Sequence, residues 1–232
     1  LAQVQSGWMM MTEKKIVEKG RLGLRRHIEE TMLLALPVIG GQLGHMLIAS
    51  ADTIMIGGLG SRYLAAASIA NGLFFLIAVI GIGVCIVISP LTAQAIGAQN
   101  SEDALSKRLH QGLIVAVWIG LLSMLALLGV AELIPYMQQQ PETVPLAQSY
   151  LRILALSLPF MMAYLAIKHF LDGFEAVLPG MAVMGFMVVF HVLLNWVMIH
   201  GKLGFPVMEL DGAGWSTVVA RMLGLVMILA YL

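Results

Sequence analysis

Long uncharged apolar runs, separated by short polar breaks, constrain this chain more than any other feature. One of them carries no formal charge from Tyr63 to Ser101. A helix needs about 20 mostly apolar residues to cross the hydrocarbon of a bilayer. Soluble cores have no use for repeated runs of that length. The chain is 59% hydrophobic and 11% charged. Soluble domains sit near roughly 45–50% apolar and 25% charged, so the excess is spread along the whole sequence. The runs lack the apolar–polar alternation of a transmembrane barrel. The expected fold class is therefore an all-α integral membrane protein.

Six spans are predicted, at about Met32–Gly57, Leu64–Pro90, within Leu109–Ala131, Leu146–Ile167, Met181–His200 and Gly212–Leu232. Glu132, Pro135, Pro141, Glu142 and Pro145 mark an outer turn after the third. Asp172, Gly173, Pro179 and Gly180 punctuate an inner loop before the fifth. Residues 1–30 read as a cytoplasmic segment with a short interfacial helix at Arg21–Glu30, and 31–232 as the six-helix membrane unit. Translation is expected to start at Met9, Met10 or Met11, and no secretory signal is legible ahead of them. The chain halts inside the sixth span, so a longer protein with a second, related half is expected.

Basic residues set the orientation. Lys14, Lys15, Lys19, Arg21, Arg25, Arg26, Lys107, Arg108 and Lys168 fall on one side, against Arg62, Arg152 and Lys202 on the other. The positive-inside rule places the first set, and the N-terminus, in the cytoplasm. Net charge is zero, which gives no basic field for nucleic acid. Cys85 has no second cysteine to pair with. No phosphate-binding loop, zinc-protease helix or nucleophile elbow is present, so the chain is not read as an enzyme, and no cofactor or metal centre is expected.

Asp52 is the only formally charged residue between Thr31 and Ser61. A carboxylate at the centre of a membrane helix costs about 2.5–3.5 kcal/mol on insertion scales, so it needs a partner, a watery cavity or a task. His45 lies seven residues earlier, close to two helical turns, and shares its face. Pro37 removes a backbone hydrogen bond from the same helix and should bend or loosen it. Protonation of Asp52, or a sodium ion held there, would cancel its charge and change which helix packing is favoured. His191 and Asn195 sit at i and i+4 in the fifth span and share a face. Arg221 lies well inside the sixth span and should face the protein interior, with Thr217 one turn before it. Lys168 and Asp172 read as a solvated interfacial ion pair. Tyr136, Tyr150, Trp118 and Trp196 include interface anchors.

Several ordered pieces carry a family resemblance. They are Leu36–Gln42 (Leu-Pro-Val-Ile-Gly-Gly-Gln), Ala51–Gly57 (Ala-Asp-Thr-Ile-Met-Ile-Gly), Ala93–Ala98, His110–Gly112, Asp172–Pro179, Leu194–Trp196 and Asp211–Gly214. In this order and spacing the chain resembles the multidrug and toxic compound extrusion (MATE) family, in particular its NorM-like bacterial branch, over roughly Met32 to Leu232. The resemblance implies the N-terminal lobe of a twelve-helix antiporter in the bacterial inner membrane, monomeric when complete, whose C-terminal lobe is missing here. It implies export of organic cations, drugs or dyes in exchange for protons or sodium ions. It assigns cation coupling to Asp52, Asn195 and Thr217 and helix bending to Pro37. Apart from the resemblance, Gln42, His45, His191 and Arg221 are candidates to line a cavity or face substrate, with helix packing the alternative for His45 and His191 and structural pairing for Arg221. The sequence departs from some family members at Ile199, where they carry a second carboxylate.

Two other readings stay open. One is a lipid-linked oligosaccharide flippase of the same superfamily, which should line its cavity with several Arg or Lys for pyrophosphate. The other is a membrane scaffold subunit that transports nothing.

Overall fold

The computed structural model describes residues 24–232 except Asn100; several side chains in the first half of the first helix, and that of Glu102, also lie outside the described set. Every regular element described is helical: α1 (Leu24–Gly57), α2 (Ser61–Ile86), α3 (Ile88–Gly97), α4 (Glu102–Ala131), a 3-10 turn (Ile134–Met137), α5 (Thr143–Leu156), α6 (Leu158–Gly173), α7 (Val177–His200) and α8 (Glu209–Tyr231).

Each apolar run of the sequence falls on helix, and the breaks have local causes. Ser101 opens α4 by accepting a hydrogen bond from the Ala104 amide, as Ser does at helix N-termini. Gly201 closes α7 in the left-handed conformation, φ 63°, which an L side chain disfavours. α5 and α6 form one predicted span, yet they meet at a bend of 41°. Pro159 explains the bend: it has no N–H for the Ala155 carbonyl, and its ring crowds that turn. Pro90 stands just beyond the smaller break between α2 and α3 at Val87.

Among the described residues, four helical stretches are long and apolar enough to cross a bilayer, at Ser61–Gly97, Asp103–Ala131, Val177–His200 and Glu209–Tyr231; the bent pair Thr143–Leu156 and Leu158–Gly173, taken as one span, makes a fifth. α1 has 34 residues, and part of its apolar N-terminal half lies outside the described side chains. Helix is continuous from Leu24 into this element, so the separate interfacial helix expected at Arg21–Glu30 merges with the first span from Leu24 onward. Residues 1–23 lie outside the described residues.

The outer surface is apolar. Leu43, Leu47, Ile54, Phe75, Leu76, Ile80, Leu122, Val189, Leu193 and Val226 are all exposed. In water such a surface would be a liability, and in lipid it is solvated. Small residues are interspersed among the larger side chains of the interior. Ala66, Ala67, Ala70, Ala78, Ala116, Ala147 and Ala155 are buried and let helices approach closely, which is how packing stabilises helices in lipid. Cys85 is part of this core. Polar ties hold one end of the bundle: the Tyr63 hydroxyl donates to Glu209 Oε2 at 2.6 Å, joining α2 to the start of α8, and Ser149 donates to Asp211 Oδ2 at 2.9 Å, joining α5 to it.

A buried carboxylate site between three helices

α1 packs chiefly along α7. Gly44 is where that approach is closest, since a Cβ there would stand 2.6 Å from Met184 Cγ. Two turns later the contact places Asp52 of α1 against the polar face of α7. His191 Nε2 and Asp52 Oδ1 are 2.7 Å apart, and Asn195 Nδ2 donates to the same oxygen at 2.6 Å. The His191 and Asp52 side chains are only 1% and 14% exposed, and Asn195 is wholly buried. The Asn195 N–H on this enclosed carboxylate oxygen, with the imidazole nitrogen beside it, offsets part of the cost of removing that charge from water.

The network continues into α8. The Ser216 hydroxyl lies 3.2 Å from Asn195 Oδ1 and 2.8 Å from the Ala213 carbonyl. Thr217 is buried beside it, and its hydroxyl donates to the same carbonyl at 3.0 Å rather than to Asn195. Ile199, one turn beyond Asn195, is fully buried. Among the described residues, Asp52 is thus the one carboxylate in this network.

Arg221 faces inward, as expected of a deep guanidinium. It lies 4.9 Å over the Phe74 ring of α2 and donates to Ser157 Oγ at the α5–α6 break. Ser157, itself wholly buried, donates to the Leu154 carbonyl at 2.6 Å. A cation on an aromatic face is stabilised by the ring quadrupole, so Arg221 is held by α2 and by the bend together. Tyr150 lies within electrostatic reach of both Asp52 and Arg221. It is 1% exposed, which corrects its reading as an interface anchor: it is part of the buried core. Tyr136 is exposed in the 3-10 turn after α4, whereas Trp118 is exposed near the middle of α4 rather than at an end.

Gln42 and His45 are exposed on α1, and His45 is within electrostatic reach of Arg221 and Lys168. The Pro37 side chain lies outside the described residues; helix runs through its position. Lys168 Nζ and His169 Nδ1 converge on Asp172 Oδ2 at 2.7 and 3.2 Å. These side chains are only 12–15% exposed, so the pair expected to be solvated is enclosed. Among the described residues, no three His, Cys, Asp or Glu side chains gather to hold a metal ion.

Sequence reasoning put His191 and Asn195 on one face, but only the fold shows that this face meets Asp52. Ser157, Ser216 and Tyr150 went unrecognised. Tyr150 and Ser157 are seven residues apart and so share a face, a signal available in the sequence; nothing in it singled out Ser216.

A family model, MatE, matches residues 37–197. The chain belongs to the MatE family. The multidrug resistance protein NorM of Photobacterium profundum is 28% identical over 208 residues, covering 89% of this chain and 45% of the relative. A Rhodopseudomonas palustris relative named "Probable multidrug resistance protein NorM" is 32% identical over 195 residues, covering 84% of this chain and 41% of its own length. This MatE chain thus spans less than half the length of the curated relatives it matches. Among solved structures, a MATE transporter in complex with MaL6 superposes with a TM-score of 0.78 at 26% identity, over 86% of this chain and 43% of that one. The eukaryotic MATE transporter AtDTX14 also gives 0.78, at 19% identity, over 88% of this chain and 45% of that one, and it supports the fold alone. The names of these relatives describe transport and resistance rather than catalysis.

Proposed function

We propose that this chain is the N-terminal, six-span lobe of a twelve-helix multidrug efflux antiporter of the bacterial inner membrane. Residues 31–232 form the lobe, and the segment before them lies in the cytoplasm. Amphipathic organic cations, drugs or dyes are the exported class, and an inward-moving cation, proton or sodium, is the driver. The observation that carries this reading is the hydrogen-bonded Asp52, enclosed between α1 and α7 in a chain whose relatives are named for multidrug resistance.

The mechanism follows from charge. An ionised Asp52 attracts a cationic substrate into the lobe; a small cation bound there cancels that attraction and releases the substrate. Asn195 holds the carboxylate in place through both states, and Gln42, His45 and Arg221 line the approach. The bilayer solvates the apolar exterior, and the second lobe closes the translocation path. The complete protein works as a monomer without a cofactor.

The flippase reading asks for several interior cations. Among the described residues, Arg221 is the one that lies mid-span in the lobe. In cells expressing the full-length protein, accumulation of a fluorescent cationic dye should fall, and Asp52→Asn should restore it at equal expression. The expected loss of efflux is roughly 5- to 150-fold, the range of a 1–3 kcal/mol coupling. An Asp52→Asn protein that keeps dye out as well as wild type would remove the coupling role, and a scaffold would become the better account.

A further inference from the structure

We infer that Arg221 is a specificity-determining residue: its guanidinium receives an acidic group of the substrate, so that a molecule carrying both a cation and a carboxylate binds better than the same cation without the acid. This rests on the transport reading above and narrows the substrate class within it.

Two opposite charges lie near each other in the bundle without touching. Asp52 and Arg221 are within electrostatic reach, and Tyr150 of α5 lies within reach of both. Yet among the described residues no carboxylate stands at ion-pair distance from Arg221. Each charge is held on one side only. Asp52 Oδ1 meets His191 and Asn195 of α7. Arg221 Nη1 donates to Ser157 Oγ at the α5–α6 break, and the guanidinium carbon lies 4.9 Å over the Phe74 ring of α2.

The other side of each charge is open. Among the described residues, neither Asp52 Oδ2 nor Arg221 Nε or Nη2 has a hydrogen-bond partner. Asp172 Oδ1 is the one side-chain oxygen or nitrogen, again among the described residues, that is both fully enclosed and unpartnered. Asp52 Oδ2 and the two guanidinium nitrogens are therefore not sealed in protein and open on accessible space. Nε and Nη2 lie along one edge of the guanidinium, which is the edge that takes a carboxylate side-on through two parallel N–H bonds.

The energetics favour a ligand that answers both charges. A charge removed from water is costly unless it is paired. A simple cation satisfies Asp52 alone and meets Arg221 as a like charge. A zwitterion brings its cationic group to Asp52 and its carboxylate to Arg221, so both costs fall together. Arg suits this task better than Lys, because its planar fork matches a carboxylate. Ser157 and Phe74 already hold the plane of that fork, so less freedom is lost on binding.

The test uses purified full-length protein and one rhodamine dye in two forms, the free acid, a zwitterion, and its methyl ester, a cation. Binding is read by fluorescence polarisation and export in proteoliposomes. Wild type should bind the acid more tightly than the ester by about tenfold or more, the worth of a hydrogen bond to a charged group. Arg221→Gln should bring the two affinities together. The ratio is the decisive quantity, because a merely structural role for Arg221 would weaken both forms alike. Equal affinities in wild type, which need no variant to measure, overturn the assignment, and so does a ratio that Arg221→Gln leaves unchanged. Export of both forms with no preference in binding removes the acid-receiving role and keeps the transport reading. A binding preference with export of neither form does the reverse.

Discussion

At the scale of single residues, the fold brings together groups that the sequence keeps far apart. Asp52 stands 139 residues from His191 and 143 from Asn195. The spacing of the latter two on one helix was legible, because i and i+4 share a face whatever the fold. Their meeting with Asp52 was not legible from spacing, because it depends on which helix α1 packs against. Asn195 is wholly buried and bonded on both sides of its amide. Asn195→Leu should leave Asp52 short of a donor and lower stability by about 1–3 kcal/mol, the cost of a buried group left unsatisfied. Thermal unfolding of the purified variant in detergent measures this, and an unchanged midpoint would show that the amide bears no such burden.

At the scale of elements, the apolar runs told where helices lie but not how they bend. The run Leu146–Ile167 has the length of one straight span. The bend at Ser157 arises because Pro159 breaks the backbone ladder and because Arg221 and the Leu154 carbonyl engage the Ser157 hydroxyl. The proline was visible in the sequence, yet the run is too uniformly apolar to show where the two halves part. α4 is shaped to this bend: a Cβ on Gly120 would stand 2.7 Å from Pro159 Cα and 3.2 Å from the Leu158 carbonyl. Backbone on both sides cannot yield as a flexible side chain would. Gly120→Ala should therefore destabilise the lobe by about 1–3 kcal/mol through overpacking. The same change at Gly129, where nothing lies within 4 Å, should be harmless. Comparing the two variants by thermal unfolding separates steric conflict from a general effect of replacing glycine; equal midpoints for both would contradict the assigned contact.

At the scale of the whole molecule, the chain covers 45% of the Photobacterium relative. Membrane class was legible from composition, since no soluble core needs such runs. The family was legible from ordered motifs and is borne out by the MatE match over residues 37–197. On the proposed two-lobe reading, one lobe cannot alternate its access, because that motion moves one repeat against the other. Liposomes holding only residues 1–232 should show no gradient-driven dye movement, whereas the full-length protein should; transport by the short chain would mean that a single lobe, or a pair of them, suffices.

The most direct measurement of the central claim is dye efflux from proteoliposomes containing full-length wild type or Asp52→Asn, with proton and sodium gradients imposed separately. Wild type should move dye under at least one of the two gradients, and Asp52→Asn should fall toward the rate of empty liposomes. Equal rates for the two proteins would contradict the account, for then the carboxylate between α1 and α7 does not couple ion to substrate.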